Sequence, residues 1–174
     1  MRFFYIYGMK KVAVFAGSFD PFTLGHLDIV KRASALFDEL WVVIFENASK
    51  KYMLDEGTRM QLIQKAVKGL KNVKVDCAAG LTVDYMKMVK AKYLVRGIRG
   101  AADVDYEQSI AWNNKVLYPE CETVFLSSSP EHLSVSSTVV RELLKVGIGK
   151  TKQGCAKLAK YVPAETVPLL TTNH

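Results

Sequence analysis

Short apolar runs alternate with helical patterns along almost the whole chain, and this alternation limits the fold more than any other feature. Strand-like runs stand at Lys11–Ala16, Leu40–Phe45, Val73–Cys77, Tyr93–Arg96 and Thr123–Leu126. Helical patterns lie between them at about Leu27–Phe37, Glu56–Gly69, Val83–Lys90 and Asp103–Leu117. A further helix, Ser137–Lys145, follows the last run, and two short pieces, Gly154–Lys160 and Pro163–Leu170, finish the pattern. Val/Ile-rich runs joined by amphipathic helices predict βαβ units and a parallel sheet. Right-handed crossovers then place helices on both faces. The expected fold is a Rossmann-like, doubly wound α/β domain around five parallel strands. No repeat, low-complexity stretch or linker divides the 174 residues, so 1–174 reads as one domain. Its core spans about 10–150, and 151–174 form short helices and a tail.

In such a sheet, ligands bind beyond the carboxyl ends of the strands, where the strand order reverses. The unusual polar residues of this chain follow the strand candidates. "GSFDPFTLGH" comes after the first, "ENASKK" after the second, "AAGLT" after the third, "RGIRGAADVDYE" after the fourth and "SSSPEHLSVSST" after the fifth. In the first of these, Gly17 and Gly25 permit close backbone approach. Pro21 stiffens the turn, and Asp20 is placed to bond its own backbone. His26 lies near the positive end of a helix macrodipole, a ready anion site.

Composition narrows the function classes. A hydrophobic share of 49% with 24% charged residues suits a soluble globular domain. No apolar run approaches the roughly 20 residues of a membrane span. The opening "MRFFYIYGM" lacks a small-residue cleavage site, so it is a poor signal peptide, and Met9 is an alternative start. The closing "TTNH" reads as a frayed polar tail. Cys77, Cys121 and Cys155 form no metal-ligand spacing and no disulfide framework, which points to a reducing cytoplasm. The net charge of +7 admits nucleic acid, anionic membranes or phosphorylated ligands. The excess lysines are scattered over helices and the tail rather than set in a stripe with aromatics, so a basic nucleic-acid-binding module is the remote reading. "GIGKT" near Gly149 is no Walker A motif, because Leu144 occupies the position of the first glycine.

"GSFDPFTLGH" resembles the (T/H)xGH signature of the nucleotidyltransferase superfamily, and "VSSTVVRE", Val135 to Glu142, resembles its ISSTxxR element. "RGIRGAADVDYE", with "SKK" at 49–51, resembles more narrowly the phosphopantetheine adenylyltransferase family, over about Val12 to Val146. Phe15–Ala16 stand where that family has Tyr-Pro, and Ser18 where Thr is usual, so the hydroxyl is kept. The resemblance implies transfer of an adenylyl group from ATP to 4′-phosphopantetheine. A different phosphate acceptor for the same chemistry is the alternative. A phosphate nucleophile is largely a dianion at pH 7 and needs no general base. Catalysis is then positioning plus charge neutralisation, which calls for cations, hydroxyls and helix starts.

By resemblance, His26 stabilises charge on the α-phosphoryl group, Ser18 orients the attacking phosphate and Lys50 binds it. Arg99 clamps the ATP phosphates, and Arg96 holds phosphopantetheine. Phe19, Gly97, Glu107, Ser136, Ser137 and Thr138 belong to the ATP site. Leu81, Thr82 and Asn114 line the pantetheine groove, while Ile110 and Val116 read as core. The resemblance further implies Mg²⁺ arriving with ATP, a homo-oligomer (a hexamer in this family) and coenzyme A as a feedback ligand. No carboxylate cage for a metal is visible.

Overall fold

The computed structural model describes residues 10–46 and 50–171. The aromatic opening, the alternative start at Met9 and the end of the polar tail lie outside the described residues. Five strands form one parallel sheet: β1 Val12–Gly17, β2 Glu39–Phe45, β3 Val73–Ala78, β4 Tyr93–Ile98 and β5 Glu122–Ser127, in the order β3-β2-β1-β4-β5. Each expected run is a strand, and pairing sets its ends. β4 continues past Arg96 because Gly97 and Ile98 pair with Leu126 and Ser127. The chain builds outward from β1 to β3 and then crosses back to β4 on the other side of β1. The order therefore reverses between β1 and β4, where a doubly wound sheet opens a ligand crevice.

The helices are α1 Leu24–Leu36, α2 Glu56–Val67, α3 Thr82–Met88, α4 Ala101–Leu117, α5 Ser137–Lys145, α6 Lys152–Leu158 and α7 Val167–Thr171. Side chains alternate along each strand, and β1 shows the consequence. Ala13 and Phe15 enter a core shared with α1, α2 and the C-terminal helices. Val12, Val14 and Ala16 enter a second core with Tyr85, Met86, Ala91 and Leu94. Burial on both faces explains why the strands read as continuous apolar runs.

Three expectations change. α1 begins at Leu24 rather than Leu27, because Thr23 caps it, and the amide of Leu24 donates to the carbonyl of Tyr161 at 2.8 Å. Val116 is 80% exposed and Ile110 is only partly buried and joins neither core, so neither is core as expected. Only Glu107 and Asn114 of α4 are buried, so the helix touches the body along a narrow stripe that leaves Trp112, Val116 and Leu117 outside. The short helices expected beyond 150 form, but they join the core rather than lie outside it, since Leu158, Val162, Val167 and Leu170 are buried in the first core.

Candidate active site

The loops after β1, β2 and β4, the start of α3 and the start of α5 enclose one cleft of about 520 Å³. Of the residues assigned to the site by resemblance, all but Leu81 and Asn114 line it. Leu81 is exposed at the N-cap of α3, beside the cleft-lining Thr82. Asn114 is buried on α4, with an amide nitrogen that has no partner. His26 and the three hydroxyl residues 136–138, more than a hundred positions apart, share the cavity.

Thr23 and His26 form a reciprocal cap on α1. The Thr23 hydroxyl accepts from the His26 amide, and the Thr23 amide donates to His26 Nδ1 at 3.0 Å. An amide only donates, so Nδ1 is unprotonated and the neutral ring carries its hydrogen on Nε2. The ring packs against Phe15, Phe19 and Phe22, with centroids 5.1 to 6.3 Å away. Burial first, then the Arg99 and Arg96 guanidiniums, lower its pKa to about 4. His26 is thus a neutral hydrogen-bond donor at physiological pH.

Phe19 sits at φ 47°, in the left-handed region, and its ring lies over Gly17. A Cβ on Gly17 would fall 2.9 Å from that ring, so the glycine admits Phe19 as well as any ligand. The Asp20 carboxylate is not used locally as expected. It accepts from the amides of Met53 and Leu54 at 2.8 and 3.0 Å, tying the first loop to the second. The first loop is also held by α5. Ser137 Oγ donates to the Pro21 carbonyl at 2.8 Å, and Arg141 donates to the Asp20 carbonyl at 2.7 Å. Ser136 caps α5 by accepting from Val139, and Thr138 accepts from Arg141. Ser137 has committed its hydrogen to Pro21, whereas Ser136 and Thr138 only accept and keep an O–H to donate, so the start of α5 offers an anion two hydroxyls beside its free backbone amides.

Arg96 and Glu107 face each other through two bonds of 2.6 Å, and Arg96 also reaches the Ala16 carbonyl at 2.7 Å. The half-exposed Arg99 donates to Asp103 at 3.0 to 3.5 Å. Burial works against the ionised Asp103, yet the Arg99 contacts keep its pKa below the usual value. Lys50 is exposed at the cleft wall. Four cations, Lys50, Arg96, Arg99 and Arg141, therefore line a cleft in which Glu107 is the one acidic lining residue among the described residues. Such a site attracts polyanions.

Arg141 and Tyr52, which line the cleft, escaped the sequence reading, as did the buried Arg59 that contacts Ser18 and Tyr52. Arg141 stood in the quoted SSTVVR motif and was detectable there. Arg59 and Tyr52 carry no local signal. Among the described residues no group of three metal-ligating side chains exists, and no helix is long and apolar enough to cross a membrane.

A family model described as cytidylyltransferase-like matches residues 14–143. A phosphopantetheine adenylyltransferase of Streptococcus pneumoniae is 51% identical over 154 residues, covering 88% of this chain and 90% of that protein. Phosphopantetheine adenylyltransferases of Limosilactobacillus reuteri and Bdellovibrio bacteriovorus are 46% and 47% identical, over 88% and 78% of the chain and 84% of either relative. Among solved structures, a Plasmodium falciparum nicotinic acid mononucleotide adenylyltransferase superposes with a TM-score of 0.66 at 17% identity. It covers 94% of this chain and 96% of its own, and the likeness is one of fold.

Proposed function

We propose that this chain, which belongs to the phosphopantetheine adenylyltransferase branch of the cytidylyltransferase-like family, transfers the adenylyl group of ATP to 4′-phosphopantetheine. A phosphate oxygen of the acceptor forms a bond to the α-phosphorus, the bond to the β-phosphate bridge breaks, and dephospho-coenzyme A and pyrophosphate leave. The observation that carries this reading is the meeting of His26, Arg99 and the start of α5 in one cationic cleft at the β1/β4 reversal. The neutral His26 donates from Nε2 to charge building on the α-phosphoryl oxygens. A preorganised donor of this kind acts without reorganising at the moment of reaction. Arg99 and the amides of α5 take the triphosphate, while Lys50 and Ser18 take the acceptor phosphate.

Mg²⁺ enters as part of the nucleotide substrate. Glu107, the acidic lining residue, is already engaged by Arg96, and Asp20 of the first loop by two amides. The exposed Trp112, Val116 and Leu117 on α4 support self-association into the hexamer expected from the resemblance. Coenzyme A, which shares the pantetheine arm, competes for the cleft as a feedback ligand. The three free cysteines agree with a cytoplasmic setting. Incubation with Mg-ATP and phosphopantetheine, followed by mass analysis, tests the reaction. Dephospho-coenzyme A is the expected product. Pyrophosphate release with nicotinate mononucleotide in place of phosphopantetheine would assign a different acceptor.

A further inference from the structure

Arg59 on α2 is fully buried, with 0% exposure, yet it does not line the cleft. One terminal nitrogen donates to the Ser18 carbonyl at 3.0 Å, and the other donates to the Glu46 carboxylate at 2.6 Å. The guanidinium carbon lies 4.3 Å from the centre of the Tyr52 ring. Nε has no partner. Burying a cation with one N–H unsatisfied is costly, and an apolar side chain of similar length would fill the space without that cost. Packing alone therefore does not account for an arginine here.

Its partners do. Ser18 opens the loop after β1, while Glu46 and Tyr52 flank Lys50 on the loop after β2. One guanidinium thus joins the Ser18 carbonyl to Glu46 through its fork and to Tyr52, two residues from Lys50, through its face. The Asp20 contacts to Met53 and Leu54 close the same seam from its other end. We infer that Arg59 is a positioning residue that fixes the separation of Ser18 and Lys50, and so sets how the acceptor phosphate is held. The inference rests on the proposed reaction.

Arg59→Lys keeps the charge and Arg59→Met keeps the bulk, and neither spans both partners. Misplacing one of two groups on the same phosphate raises the KM for phosphopantetheine at least about tenfold in both variants, while the KM for ATP stays within about twofold. Amide exchange at Met53 and Leu54 is faster in both. A lower melting temperature with an unchanged ratio of the two KM values would overturn the role, because a purely structural arginine predicts that result. Should neither Arg59 variant fold, Glu46→Ala, which removes the acceptor at the half-exposed end of the pair, decides. A selective rise in the phosphopantetheine KM supports the inference, and no change overturns it. If wild-type protein makes no dephospho-coenzyme A, the reaction is rejected instead. The exchange comparison then stands alone: faster exchange in the variants supports the clamp, and unchanged exchange overturns it.

Discussion

The Thr23 amide nitrogen and His26 Nδ1 lie 3.0 Å apart, and this one contact fixes which ring nitrogen of His26 bears the hydrogen. The same pair caps α1, so the ring tautomer and the helix start are a single structure. In the proposed reaction, His26→Ala removes the donor to the α-phosphoryl group. Loss of one preorganised donor typically costs about a hundred- to a thousandfold in rate. We expect kcat to fall by at least about a hundredfold while the KM for ATP changes little. Steady-state kinetics with saturating phosphopantetheine measure this, and unchanged turnover would remove His26 from the mechanism.

Burial and two neighbouring arginines hold His26 at a pKa of about 4. Its ordinary value is about 6.5. Between these values the unfolded chain binds more protons than the folded one, so stability falls as the pH drops from about 6.5 toward 4. An NMR titration of the ligand-free protein should show the His26 ring still neutral at pH 5.5. Thr23→Val deletes the hydroxyl that contacts the ring and caps the helix, and should cost about 1 kcal/mol of stability. Thr23→Ser should restore most of it. A midpoint for His26 near 6.5 in the wild type would show that the enclosure assigned to the ring is wrong.

The fold was legible because burial on both faces makes parallel strands read as unbroken apolar runs. The cleft was legible because a parallel sheet sends every strand-end loop to one rim. What the sequence hid is the stitching between those loops. Asp20 bonds Leu54, 34 positions away, and Arg141 bonds Asp20 from 121 positions away. Such contacts leave no periodicity in the chain. Arg59 looks like any helix arginine, and nothing in "EGTRMQLIQ" says that it is buried. Val116 failed in the opposite sense. Its helical spacing suggested core, but spacing alone does not say which stripe of a helix meets the sheet.

Arg96 and Glu107 were assigned by resemblance to different halves of the site, yet they grip each other through two bonds. Removing one member of a buried pair strands the other. Glu107→Ala leaves Arg96 held only by the Ala16 carbonyl, at a site where both side chains keep some solvent contact. Solvent screening reduces the penalty, and a loss of about 1–3 kcal/mol is expected. Because the proposed function, by resemblance, gives Arg96 to phosphopantetheine and Glu107 to ATP, the KM for both substrates should rise together. Thermal unfolding and two-substrate kinetics check this. A rise for ATP alone would confine Glu107 to the nucleotide half.

The C-terminal segment offers the cleanest separation of stability from chemistry. Leu158 is fully buried in the core shared by α1 and α2, so Leu158→Ala opens a cavity there. Such a deletion costs about 2–5 kcal/mol, with the spread set by how far the walls relax. The Tyr161 carbonyl nearby accepts from Leu24, the first residue of the helix that carries His26. That bond is made by backbone, and it survives if the cavity forms without moving the chain. Leu158→Ala should therefore lower the unfolding midpoint in denaturant while kcat, measured well below the transition, stays within about twofold of wild type. A larger fall in kcat with the fold intact would mean that the segment steers His26 through Leu24, and that its packing and the catalytic geometry are one mechanical unit.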